Sequence, residues 1–194
     1  FNMSMSSLLP FVISSVTATT VSYLFLGNTV AFENDLTPFS IGNLPYYVLF
    51  GAICGYASLY FTRTTLWLED KIKGINGTTR RWLISAGCLG LLIFIFPPLY
   101  GEGYGVLTSL LMNNSEEAIG TSIFQKLLTR EWLVPVFFIG VFFFKVFTMS
   151  FTNAGGGVGG TFGPTLFMGG IVGFIIARIV NLSGIHPLPE ANFV

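Results

Sequence analysis

The groups in this chain that could do chemistry are main-chain N–H groups in the glycine-rich stretch 155–164. Six of its ten residues are glycine, and it ends in Gly163-Pro164 directly before an apolar run. Proline is favoured at the first position of a helix because its missing N–H is not needed there, so a helix is predicted to begin at Pro164. The N–H groups at such a start have no acceptor within the helix and carry the positive end of its dipole. The pattern therefore predicts anion binding by main-chain N–H groups, chiefly those of Thr161 and Phe162.

The surroundings of this stretch place it at membrane depth. Apolar runs flank it at 132–150 and 165–182, and no charged residue occurs between Lys145 and Arg178. Lipid offers no hydrogen-bond partner to backbone that has left a helix, so such a break is tolerated only where it lines a cavity or a binding site inside protein. Glycine also lets a ligand approach the backbone closely. The residues predicted to form the loop around the site are Gly159, Gly160, Gly163 and Pro164.

Three other interpretations of the glycines compete with an anion site. A nucleotide-binding loop needs a preceding strand and, in its P-loop form, a lysine that grips phosphate, and neither is present. Gly169 and Gly173 are four residues apart and could form a helix-packing face, but this explains only the glycines inside the helix. A flexible linker usually carries serine and other polar residues, whereas this stretch runs into Phe162 and Pro164.

The composition indicates an integral membrane protein. Of the 194 residues, 52% are hydrophobic and only 9% are charged, whereas soluble domains carry about 25% charged residues. The net charge is zero, so no basic face for nucleic acid is expected. Cys54 and Cys88 lie in apolar segments without metal-ligand spacing and are predicted to be packing residues. The sequence has no cluster of His, Cys and acidic residues and no nucleophile beside a base, so it predicts no enzyme and no catalytic, metal or cofactor site.

Hydrophobic runs predict an all-α, multi-pass membrane protein with broken and re-entrant helices. The apolar piece 106–112 is too short to cross the bilayer and is predicted to be a partial or re-entrant helix packed against protein. Lys145 lies five residues before the end of its run and is predicted to snorkel to the interface rather than face a vestibule. His186, which precedes a proline in a turn, is predicted to be solvated. The predicted membrane segments are 8–26, 46–68, 82–96, 132–150 and the helix 164–182.

The stretch that runs from Thr161-Phe162-Gly163-Pro164 to Gly169-Gly170 resembles the G-x-F-x-P segment of the CLC family of chloride channels and transporters. Upstream, Pro97 and the turn 101–105 are similar to the segment between helices K and L of that family. The run that ends at Trp67 is similar to helix J, and 8–26 is similar to helix I. The resemblance covers essentially the whole chain, in order. It identifies residues 1–194 as a section of a single CLC-type transmembrane domain, from about helix I to the start of helix O.

The resemblance implies an antiparallel inverted-repeat membrane fold and a homodimer in which each subunit has its own anion path. It implies transport of chloride or a similar small anion across the lipid bilayer of the cell (inner) membrane, by a channel or a proton-coupled exchanger. In the family the G-x-F-x-P amides hold the central anion, which points to the N–H groups of Thr161 and Phe162. Thr161 stands where isoleucine or valine is more usual, and Gly163 where alanine is more usual. The gating glutamate, the site serine and the internal proton-path glutamate of the family are expected before Phe1, and its pore tyrosine after Val194.

A function of another class stays open on the residues alone. The chain could be a membrane scaffold that transports nothing and whose glycine break serves only helix packing. An ion beside 160–164 would favour transport. A break that is filled by side chains, with its N–H groups bonded to protein, would favour the scaffold.

Charge distribution predicts the sidedness of the second membrane segment. Residues 69–81 hold four basic residues, whereas 27–45 holds two acidic residues and no basic one. Basic residues in short loops mark the cytoplasmic side, so 69–81 is predicted to be cytoplasmic and 27–45 external. In a background without native cysteines, an impermeant thiol reagent added outside should label Asn34→Cys and not Asn76→Cys. Labelling of only the second position would reverse this topology.

Overall fold

A computed structural model of the chain describes residues 5–27, 36–120 and 131–194. These residues form helices and connecting turns without strands, as the sequence predicts. The chain divides into two compact units, Phe1–Glu33 and Asn34–Val194.

In its described part, residues 5–27, the first unit contains one helix, α1 (Met5–Leu26), which agrees with the predicted segment 8–26. The hydroxyl of Thr19 donates a hydrogen bond to the carbonyl of Ser15 at 2.9 Å, one turn back. Such bonds satisfy a polar side chain within its own helix. Residues Val12–Phe25 form a shorter apolar helix, so a full crossing by this segment stays a prediction.

The second unit contains six α-helices in its described part, and short 3-10 turns precede α2, α4 and the end of the chain. The helices are α2 (Leu44–Lys73), α3 (Thr78–Ile95), α4 (Tyr104–Leu111), α5 (Ser115–Ile119), α6 (Leu133–Gly155) and α7 (Phe162–Ser183).

Among the residues that the structure describes, four segments are long and apolar enough to cross a membrane, and they correspond to α2 with its preceding turn, α3, α6 and α7. The segment 106–112, predicted to be a partial helix, lies in α4. This helix of 8 residues buries Leu107 and Leu110 and packs against α7. The packing of α4 agrees with a short helix held against protein rather than against lipid.

Helix α6 is the centre of the second unit and packs against α2, α3 and α7. Phe138 and Val141 are fully buried, and the Phe138 ring meets that of Phe174 edge-to-face at 5.1 Å. The hydroxyl of Tyr60 donates to the carbonyl of Phe143 at 3.0 Å, which ties α2 to α6 in mid-helix. Aromatic contacts of this geometry contribute beyond the area that they bury. Phenylalanine-rich α6 thus forms the core on which the other helices are arranged.

Contacts between helix ends give the relative directions of α2, α6 and α7. Leu68 and Ile72 of α2 cluster with Ala154, so α2 and α6 end at the same level. At the opposite end, the rings of Tyr47 and Phe193 stack at 4.6 Å, so the start of α2 meets the segment after α7. Helices α2 and α6 therefore run in one direction and α7 returns in the other.

Several helix ends differ from their predicted positions. Helix α7 begins at Phe162, so Pro164 is the third helical residue and not the first as predicted. This costs no hydrogen bond because the first four N–H groups of a helix lack an acceptor in any case. Helix α2 continues to Lys73, where an ion pair of 2.7 Å with Glu69 supports its last turn. Helix α6 continues to Gly155, five residues past the predicted end of its apolar run.

The segment that follows α7 folds back onto its own helix. The carbonyl of Phe193 lies directly against Gly173, and the carbonyl of Val194 lies 3.2 Å from the position of a Cβ at Gly170. Gly169 has no such neighbour, so of the predicted packing pair only Gly173 is in close contact with another part of the chain. The partner that needs the small residues is the backbone that ends the 3-10 turn Glu190–Asn192.

His186 is not the solvated residue that the sequence predicts. Its Nε2 lies 3.0 Å from Oδ1 of Asn43, and its ring stacks on Tyr46 at 5.6 Å between centroids. His186 thus joins the turn after α7 to the start of α2.

Gly173→Ala should destabilise the protein, because a Cβ at this position would overlap the Phe193 carbonyl and displace the C-terminal segment. We expect a loss of roughly 1–3 kcal/mol, as for other forced insertions into packed sites. Thermal unfolding of the detergent-solubilised protein measures this loss. Gly169→Ala is the matched control because a Cβ there meets nothing within 4 Å. Equal unfolding temperatures for the two variants would contradict the packing described.

Candidate functional site

The glycine break lies between the end of α6 and the start of α7. Gly156 follows α6 with φ of 108°, in the left-handed region that favours glycine. The N–H of Gly157 then bonds to the carbonyl of Thr152 at 2.8 Å and closes the helix end. Residues 157–160 have no regular structure, and α7 begins at Phe162. The break predicted from the glycines is therefore confirmed as a change of chain direction between two membrane-spanning helices.

The start of α7 leaves donors without acceptors. The first hydrogen bond of the helix runs from the N–H of Thr165 to the carbonyl of Thr161 at 3.1 Å. Across the described ranges of the chain, the N–H groups of Thr161 and Phe162 form no hydrogen bond. Pro164 has no N–H to satisfy. The geometry thus presents free main-chain donors at the positive end of a helix dipole.

The predicted site residues differ in exposure. Gly163 and Pro164 are buried, whereas Thr161 is exposed and the Phe162 side chain is 73% exposed. Val158 in the break is fully exposed. The break therefore has one face packed on the helices and one face open.

A cavity of about 310 Å³ lies beside the break. Of the predicted site residues, Gly159, Gly160 and Pro164 line it, together with Lys145 and Glu102. Thr161, Phe162 and Gly163 do not line this cavity and lie between two of its lining residues, Gly160 and Pro164, in the chain. A Cβ at Gly160 would meet nothing within 4 Å, so the loop leaves open space there.

Lys145 is buried inside α6, which corrects the prediction that it snorkels to the interface. The side chain is 1% exposed, and Nζ donates to the carbonyl of Gly101 at 2.8 Å and approaches that of Leu99 at 3.4 Å. The ammonium lies 4.5 Å from the centroid of the Phe167 ring. Carbonyl oxygens and an aromatic face are the groups that compensate a desolvated cation. Lys145 turns inwards because these groups are available there.

Glu102 occupies a glycine turn before α4. Gly101 and Gly103 on either side have φ of 63° and 91°, and the Phe167 ring packs directly against Gly103. Only glycine takes such left-handed angles at low cost. The hydroxyl of Tyr104 interacts with the Glu102 carboxylate. The turn thereby holds a carboxylate at the wall of the cavity.

The arrangement places free main-chain donors and two charged side chains around one cavity. Within residues 5–27, 36–120 and 131–194, no group of three or more His, Cys, Asp or Glu side chains could hold a metal ion. From the sequence alone Glu102 has no predicted role, and Lys145 is predicted to snorkel. The pattern Gly-Glu-Gly was a usable signal for Glu102, because glycines on both sides of one acid indicate a turn. Nothing in the local sequence marks Lys145 as buried.

Comparisons with known proteins agree with this architecture. The chain is 29% identical over 178 residues to "Chloride channel protein CLC-e" of Arabidopsis thaliana, which covers 89% of this chain and 23% of that protein. It is 27% identical over 164 residues to "H(+)/Cl(-) exchange transporter ClcA" of Cronobacter sakazakii, covering 81% and 31%. It is 26% identical over 182 residues to "Voltage-gated ClC-type chloride channel ClcB" of Citrobacter koseri, covering 90% and 38%. No solved structure matches the chain significantly.

The chain spans between 23% and 38% of the length of these three relatives. The sequence profile of the family described as "Voltage gated chloride channel" matches residues 1–194, which is the whole chain given. Together with the all-helical fold and its four membrane-spanning segments, this match shows that the chain is a multi-pass integral membrane protein of the voltage-gated chloride channel (CLC) family.

Proposed function

We propose that this chain forms part of a pathway for chloride or a similar small anion, and that the anion is held by the N–H groups of Thr161 and Phe162. The observation that carries this proposal is the pair of unbonded donors at the start of α7, beside an open cavity. The anion is the ligand to be transported, and the proposed function needs no cofactor. Gly159, Gly160, Gly163 and Pro164 form the supporting loop.

The physical basis is electrostatic. A helix terminus acts like roughly half a positive charge, which falls off within the first turn. Such a field helps to replace the water that an ion loses in the protein. A transported ion must also leave, so binding has to stay moderate. Main-chain donors suit this requirement because they attract an anion without adding a full charge at the contact.

The alternative of a scaffold without transport has less support. A break used only for packing would be filled by side chains, and its N–H groups would be bonded to protein. Here a Cβ at Gly160 would meet open space, and Val158, two residues earlier in the break, is exposed. The curated relatives named above are called chloride channels or a chloride exchange transporter. Both features favour transport over packing.

The wider assembly follows from membership of the family. We expect a homodimer in the cell (inner) membrane, in which residues 1–194 are a section of a single CLC-type transmembrane domain. We do not expect an enzymatic activity or a nucleic-acid partner. The relatives include proteins named as channels and one named as an exchanger, and the proposed site serves either mechanism because it only has to hold the ion.

Gly160→Leu in the full-length protein should cut chloride flux at least tenfold, because a leucine side chain would occupy the open space beside the break. The structure makes this a clean test, since a Cβ at Gly160 meets nothing within 4 Å and folding should be retained. Chloride efflux from proteoliposomes measures the effect. Gly90→Leu on α3 is the control, because its Cβ also meets nothing within 4 Å and it does not line the cavity. Equal flux in the two variants would overturn the role of the loop.

Thr161→Val should leave flux within about threefold of the unchanged protein, because the substitution keeps the main-chain N–H that we propose as the donor. Anomalous scattering from crystals with bromide in place of chloride should give a peak beside 160–164. If the valine variant abolished flux, or if bromide gave no peak near this loop, the main-chain site would be wrong.

A further inference from the structure

The cavity beside the start of α7 contains two oppositely charged side chains, and the main-chain anion site accounts for neither. Lys145 supplies a buried cation, and Glu102 supplies a carboxylate at the cavity wall. The two groups interact electrostatically. They are also linked through the backbone, because Nζ of Lys145 donates to the carbonyl of Gly101, the residue before Glu102.

Glu102 lies against the first turn of α7. The position of a Cβ at Gly163 is 3.2 Å from Cβ of Glu102 and 3.3 Å from its Oε2. Gly163 directly follows Phe162, one of the two proposed donors. The carboxylate therefore sits beside the helix terminus that is proposed to attract the anion. The other titratable and charged groups that interact with it are Lys145 on α6 and Tyr104 on α4.

These positions have opposite effects on an anion. The positive end of α7 contributes roughly half a charge, and Lys145 adds a full positive charge in surroundings of low dielectric. Coulomb attraction at such sites is several times stronger than in water, so the two together would hold an anion tightly. The carboxylate repels the same anion and attracts the ammonium. With Lys145 and Glu102 both charged, the side chains at the cavity sum to no net charge and the helix terminus decides the field.

We propose that Glu102 limits the affinity of the anion site by offsetting the buried charge of Lys145. This assignment rests on the anion site proposed above and names a residue that sets how tightly this site holds its ion. It makes Glu102 a determinant of affinity without contact between its carboxylate and the bound ion. The turn fits this role, because it places Oε2 of Glu102 3.3 Å from the position of a Cβ at Gly163.

A purely structural role for Glu102 makes a different prediction. Glu102 precedes Gly103, the cap residue of α4, where an acidic side chain stabilises the helix dipole. A residue that only supported α4 would change the unfolding temperature on substitution and leave anion affinity unchanged. Affinity and unfolding temperature must therefore be measured on the same variants.

The test is a chloride titration of the full-length protein at constant pH and ionic strength, followed by calorimetry in detergent. Glu102→Gln removes the charge and keeps the shape, and we expect the half-saturating chloride concentration to fall roughly tenfold. Glu102→Ala should move it in the same direction, whereas Glu102→Asp should stay near the unchanged protein. Glu116→Gln on α5 is the matched control, because this exposed residue does not line the cavity.

The outcomes separate this inference from the anion site itself. Chloride binding in the unchanged protein, with the same affinity in any folded neutral Glu102 variant, overturns the role of Glu102 and leaves the site standing. Weaker binding in those variants overturns it as well. Absence of chloride binding in the unchanged protein, together with unaltered flux in Gly160→Leu, overturns both proposals. A tighter site in both neutral variants, with unchanged affinity in Glu116→Gln, supports the proposal.

Discussion

The arrangement around the glycine break depends on one buried cation. An ammonium group inside a membrane-spanning helix is costly unless polar groups surround it. Lys145 meets this requirement with the carbonyls of Leu99 and Gly101 and with the face of Phe167. These three residues belong to the turn before α4 and to α7. The need to compensate one charge thus joins three separate pieces of chain around the cavity.

The same constraint explains where the carboxylate lies. The turn that supplies carbonyls to Lys145 continues directly into Glu102. The same stretch of chain therefore contributes both a neutral carbonyl acceptor and a charged carboxylate that interact with Lys145. The glycine break contributes Gly159, Gly160 and Pro164 to the same cavity, and Glu102 lies against Gly163 in the first turn of α7. The charged side chains and the start of α7 therefore lie close together, and the field in the cavity combines both contributions.

Features that depend only on neighbouring residues in the chain could be predicted from the sequence. A membrane-spanning helix needs a long apolar run, and each of α2, α3, α6 and α7 has one. The break was predictable because glycine and Pro164 act on the backbone near them. Helix ends were less accurate, because backbone hydrogen bonding continues past the apolar residues, as it does in α6 as far as Gly155.

Features that depend on distant partners could not be predicted. The carbonyl acceptors of Lys145 are 44 and 46 residues away in the chain, so its local spacing gave no sign of burial. The contact of Phe193 with Gly173 likewise requires the chain to reverse after α7. His186 found its partner Asn43 across 143 residues. In each case the sequence shows the residue type, but the fold determines which distant residue becomes its partner.

The position of Phe167 has a consequence for motion. Its ring covers the Lys145 ammonium and packs against Gly103, and the side chain is fully buried. A displacement of the first turns of α7 would uncover the cation, and a desolvated contact between a cation and an aromatic face contributes about 2 kcal/mol. A state at that cost is populated roughly once in thirty. The Phe167 ring therefore favours one position of the first turns of α7. Exposed side chains such as Phe162 carry no such constraint and rotate within picoseconds to nanoseconds.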